Sequence, residues 1–172
     1  MKKGKFIVVM LCFLCLACGK KEEEDSIKFK EEYEKYNDQY IELEISDVNL
    51  IQYSNLEEIN KIIKDGTGVI YIGSPTDDVS RRAVDVLLGV THNTDLEKIY
   101  YISSMDGIQG IDSIEEKKIP LVLFVLDGEI VSYHIGTIED KTDLSDDELV
   151  QLYNIYSEGV HKVLQDACDE RC

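Results

Sequence analysis

Ile119-Pro120-Leu121-Val122-Leu123-Phe124-Val125-Leu126-Asp127-Gly128-Glu129-Ile130 is the stretch on which the fold turns. Leu121 to Leu126 is apolar without a break, the pattern of a strand covered on both faces. Asp127-Gly128 follows, and both residues tolerate the positive φ that a two-residue hairpin turn demands. Ile130 to Ile135 is then the returning strand. Pro120 is one of only two prolines in the chain, the other being Pro75. At the head of a strand its missing N–H interrupts no ladder.

Upstream, Val69-Ile70-Tyr71-Ile72 reads as a second central strand and Ile99-Tyr100-Tyr101-Ile102 as a third. Between them Val79, Ala83, Val86, Leu87 and Val90 recur at the period of an amphipathic helix. Tyr40–Ile45 and Asn49–Tyr53 alternate apolar and polar residues, which predicts two short strands. Ser54 with Glu57 has the spacing of a capping box and predicts a helix that buries Leu56, Ile59, Ile62 and Ile63. Ser145 with Glu148 has the same spacing and opens a last helix with Leu149, Leu152, Tyr153, Tyr156, Val160, Val163 and Leu164 on one stripe. Phe29, Tyr33 and Tyr36 place a charged lead-in helix at Ile27–Asn37. The order is therefore β-α-β-α-β, a hairpin and a helix, which one mixed sheet with helices on both faces accommodates.

The N-terminus carries an address. Lys2, Lys3 and Lys5 precede an apolar run from Phe6 to Ala17, which has the length of a signal-peptide core and is short for a membrane span. Leu16-Ala17-Cys18-Gly19 resembles the lipobox of bacterial lipoproteins, with Cys15 where Leu is usual. That resemblance implies cleavage before Cys18 and lipid on its sulfur. The expected divisions are a signal peptide at 1–17, a lipidated flexible spacer at 18–28 and a folded domain at 29–172. The expected location is the extracytoplasmic face of the cell membrane. The chain has a formal charge of −17 and becomes more acidic once the leader is removed. Such a surface repels phosphate backbones, so nucleic acid is not an expected partner.

The strand 68–72 with Gly73-Ser74-Pro75, the stretch Ile119–Val125 with Asp127-Gly128, and Gly136-Thr137 together resemble the thioredoxin-like superfamily. Within it they are similar to bacterial thioredoxin-fold lipoproteins related to bacteriocin transport accessory proteins. The resemblance spans Phe29 to the C-terminus and implies an α/β fold with a central mixed sheet flanked by helices. It also implies a cis Pro120, with Ile119 presenting backbone to an extended peptide. The segment from Ser103 to Lys118 is shorter than its family counterpart.

The redox motif is missing. Where the family places Cys-x-x-Cys, the chain has Asp77-Asp78-Val79-Ser80, followed by Arg81. Thiol–disulfide exchange begins with a thiolate attacking sulfur, and neither Asp77 nor Ser80 can take part. A carboxylate at a helix N-terminus is stabilised by free N–H groups and the helix dipole, so Thr76 or Asp77 is read first as a cap. Asp77 and Asp78 have no accompanying histidine, so no metal is expected there, nor is any cofactor. Arg81 and Arg82 are read as surface ion-pair partners.

With Cys18 lipidated, Cys168 and Cys172 are the remaining thiols of the mature chain. Their spacing suits a disulfide that limits fraying, a labile redox pair, or half of a soft-metal site. Two functions follow as expectations. One is a redox-inactive module that binds a protein or peptide through Asp77, Asp78, Ile119 and Pro120. The other is a thiol–disulfide oxidoreductase or relay using Cys168 and Cys172.

Overall fold

A computed structural model describes residues 21–92 and 94–164. Leu121–Leu126 forms a strand and Glu129–Ile135 its antiparallel partner, joined by Asp127 and Gly128 at φ 49° and 79°. Two positive φ values in succession give the turn whose twist matches the flanking strands. In chain order the elements are α1 (residues 21–34), β1 (Ile51–Tyr53), α2 (Leu56–Asp65), β2 (Gly68–Ile72) and α3 (Asp78–Thr91). They continue with β3 (Ile99–Ile102), β4 (Leu121–Leu126), β5 (Glu129–Ile135), a short 3-10 turn (Ile138–Asp140) and α4 (Asp146–Leu164).

The five strands lie in the order β1-β3-β2-β4-β5. β1, β3 and β2 are mutually parallel, whereas β4 runs antiparallel to both β2 and β5. The fold is α/β, a mixed sheet with helices on both faces. β2 and β4 are central and almost wholly buried, as their unbroken apolar runs require. α1, α3 and α4 cover one face, around Phe29, Tyr33, Val84, Leu87, Leu152 and Val160. α2 and residues 103–118 cover the other, around Ile59, Ile63, Ile70, Leu121 and Leu123.

Four sequence expectations change. Tyr40–Ile45 forms no strand, although Leu43 and Ile45 are buried. Its backbone is held instead by side chains: Ile41 N–H by Asp78, Leu43 N–H by Asn37 and Ile45 N–H by Glu34. The cap of α2 is Asn55, whose side chain accepts from Glu58 N–H at 2.9 Å. Ser54 instead carries the sheet one residue further, its N–H donating to the Tyr101 carbonyl of β3 and its hydroxyl to the Gln52 carbonyl. Leu56, expected in the core, is 37% exposed. Residues 21–28, expected as part of the spacer, belong to α1, where Ser26 is buried and donates to the Asp47 carbonyl at 2.9 Å.

The capping box of α4 forms as expected. Ser145 N–H donates to Glu148 at 2.9 Å and Glu148 N–H returns a longer bond to Ser145 Oγ. Among the described residues no helix is long and apolar enough to cross a membrane.

Candidate functional site

β2 runs into Gly73-Ser74-Pro75-Thr76 and then into α3, so the helix begins directly above the end of the central strand. Asp77 caps α3. Its Oδ2 accepts from Ser80 N–H at 2.7 Å and from Ser80 Oγ–H at 2.6 Å. Asp77 and Ser80 are thus bonded to each other, and Ser80 is fully buried. Asp78 is occupied differently, accepting from Ile41 N–H at 2.8 Å.

Arg81 departs most from expectation. It is not on a solvated face; it is fully buried and the largest enclosed side chain among the described residues. Its guanidinium donates to the carbonyls of Tyr33 at 2.7 Å, Pro75 at 3.0 Å and Ile41 at 2.5 Å, and to Asn37 Oδ1. The rigid fork of five donors lets one side chain tie α1, the 37–45 segment and the Pro75 loop to α3. Burial lowers its pKa, partly offset by Tyr33 and Asp78, and a guanidinium stays charged. One sequence signal pointed this way: a cation in the first turn of a helix opposes the dipole and needs partners elsewhere. Arg82 does form the expected local pair, with Asp85 at 3.0 Å, and also donates to the Thr142 carbonyl.

Beneath the loop lies a tyrosine cluster that pattern reading assigned only to strands and a helix face. Tyr71 Oη donates to the Ser80 carbonyl at 2.9 Å and lies 3.1 Å from Tyr33 Oη. Tyr101 Oη reaches the Gly73 carbonyl at 3.4 Å. Burial raises the pKa of all three phenols, so they act as neutral hydrogen-bonding props. Gly73 is required sterically, since a Cβ there would fall 2.1 Å from Tyr71 Oη.

Across from this loop, the pairing of Ile72 with Leu121 sets Pro120 beside the end of β2. The Ile119–Pro120 bond is cis. The Pro120 carbonyl accepts from Gly136 N–H at 2.7 Å. The backbone N–H and C=O of Ile119 have no hydrogen-bond partner among the described residues. Lys118 Nζ lies 2.5 Å from Asp140. That bond raises the Lys118 pKa, and Asp77 adds a smaller contribution across the loop.

Asp77, Ile119 and Pro120 therefore meet at one end of the sheet, while Asp78 turns its bonded oxygen toward the 37–45 segment. Cys18, Cys168 and Cys172 lie outside the described residues. No group of three His, Cys, Asp or Glu among the described residues is placed to hold a metal. A recess of about 430 Å³ opens toward the other end of α3, lined by Glu44, Leu88, His92 and Leu96 among others, and includes none of the site residues. No protein-family model and no curated protein matches this chain.

Proposed function

We infer that the chain is a thioredoxin-fold lipoprotein that has given up dithiol chemistry and binds an extended polypeptide. The strand order, with α3 opening above the central strand and a cis proline beside it, supports the fold assignment. The observation that carries the binding reading is the unpartnered backbone of Ile119 beside Pro120. A polypeptide laid along that edge satisfies both groups by strand-like hydrogen bonds. Asp77 and Ser80 supply no sulfur, and their mutual bond keeps α3 capped without it. Cys18 tethers the module by lipid to the extracytoplasmic face of the membrane, consistent with the apolar leader before it.

The test is site-specific crosslinking. A photoreactive residue at position 119 captures members of an extended-peptide library that contains no cysteine, while one at Val150, 59% exposed on α4, does not. Equal capture at both positions, or none at 119, overturns the binding reading. Disulfide turnover by the same protein that disappears in Cys168→Ser or Cys172→Ser replaces it with the relay.

A further inference from the structure

β5 and α4 meet at two polar side chains that have nothing to bond. His134 Nε2 and Tyr156 Oη are both enclosed and both without a hydrogen-bond partner. Their rings approach edge to face, with centroids 5.7 Å apart. Tyr156 is fully buried at the middle of α4. A neutral imidazole is tolerated there, because its ring packs on the tyrosine and its orphaned nitrogen carries no charge. An imidazolium carries two N–H donors and a full charge into the same space, where Nε2 finds no acceptor.

We propose that His134 is an acid-sensitive catch for α4: neutral, it seats the helix on β5, and protonated, it lets the helix part from the sheet. The groups facing His134 are few. From β4 it opposes Val122, which carries no charge. From α4 it meets Tyr156. From the turn after β5, Asp140 favours the cation, but that carboxylate is already engaged by Lys118. α2 packs on the opposite face of the sheet. Burial, opposed by Asp140, lowers the His134 pKa. The unfolded chain therefore takes up the proton first as the pH falls. Stability is full above the unperturbed histidine value of about 6.5 and declines below it.

α4 is the element that gives way. It closes the far side of the sheet over Phe124, onto which Gly159 packs so closely that an added Cβ would lie 2.5 Å from the ring. β2, α3 and α1 keep their own contacts through Arg81 and the tyrosines. Parting α4 uncovers Val122 and Phe124, an apolar strip that neutral pH keeps covered.

Hydrogen exchange on the full chain in mild detergent tests this, corrected for intrinsic rates at each pH. As the pH falls through the His134 midpoint, residues 146–164 lose protection while β2 and α3 hold theirs. His134→Phe removes that selective loss. His161→Gln leaves it unchanged, because His161 is on the exposed side of α4, 2.7 Å from the Ser157 carbonyl. The same acid response in His134→Phe, or uniform loss across the fold, overturns the proposal. Should His134→Phe fail to fold, NMR titration of the unaltered chain decides: a His134 midpoint below about 6.5 coinciding with the α4 loss is expected, and one above it refutes the catch. None of these outcomes bears on peptide capture at position 119.

Discussion

On one face of the sheet the buried side chains include Phe29, Tyr33, Tyr71, Tyr101, Phe124 and Tyr156, with Arg81 among them. On the other, Ile59, Ile62, Ile63, Ile70, Ile72, Ile111, Ile114, Leu121, Leu123 and Val125 are aliphatic throughout. The difference lies in what each face must satisfy. An aliphatic layer needs only shape and volume, so any geometry that excludes water suffices. A buried phenol or guanidinium needs acceptors at fixed positions, so its layer dictates where neighbouring backbone goes. The candidate site sits at the end of the face that dictates. Tyr71 holds the Ser80 carbonyl, Tyr101 the Gly73 carbonyl and Arg81 the Pro75 carbonyl.

If that contrast holds, the largest effect comes from Arg81→Ala. It leaves the Pro75 and Ile41 carbonyls without a donor, takes one of two donors from the Tyr33 carbonyl and from Asn37 Oδ1, and lowers stability by roughly 4 kcal/mol, read by urea denaturation. Arg81→Lys recovers only a minor part, because one ammonium cannot span the fork. A loss under 1 kcal/mol would mean that the network is incidental. On the aliphatic face, Leu123→Ala costs roughly 3 kcal/mol through lost burial and a cavity. Crosslinking at position 119 should be unchanged in that variant wherever it remains folded. A parallel loss of crosslinking would show that the two faces are not separable.

A smaller effect is expected from Tyr71→Phe, roughly 1 to 2 kcal/mol, since one hydroxyl is removed and the ring remains. Faster amide exchange in the first turn of α3, with α2 unaffected, would locate that cost at the Ser80 carbonyl. The smallest effect lies at the exposed rim, where Lys141 and then Ser145 hold the Glu148 carboxyl down at about 2. The sign is that of a depressed acid. Its contribution is complete above the ordinary carboxylate value of about 4.3 and is lost as pH falls through about 2. Glu148→Gln should flatten stability against pH in that window, and added salt should shrink the difference.

The aliphatic face was legible in the sequence because its signals are local. Continuous runs at 69–72 and 121–126, and Asp127-Gly128 between two of the strands, carry most of the sheet. The Asp77 cap was legible for the same reason, as a carboxylate one residue before a helical period. What escaped depends on distant partners. Tyr40–Ile45 has the alternation of a strand because one side of it is buried, but alternation reports burial and is silent about who takes the hydrogen bonds. Arg81 looked like a surface charge beside Arg82, and nothing in the spacing said that Tyr33, Asn37 and Ile41 would converge on it. Asn55 rather than Ser54 is the cap, since Ser54 stays with the sheet by a bond to β3 formed across more than forty residues.

The segment at 41–45 matters in one more way. Since side chains take up its amides, it adds no strand to the sheet, and β1 remains an outer strand of three residues. So short a rim offers a neighbouring chain little to zip onto. Many copies crowded at one surface could then stand side by side without growing into a shared sheet.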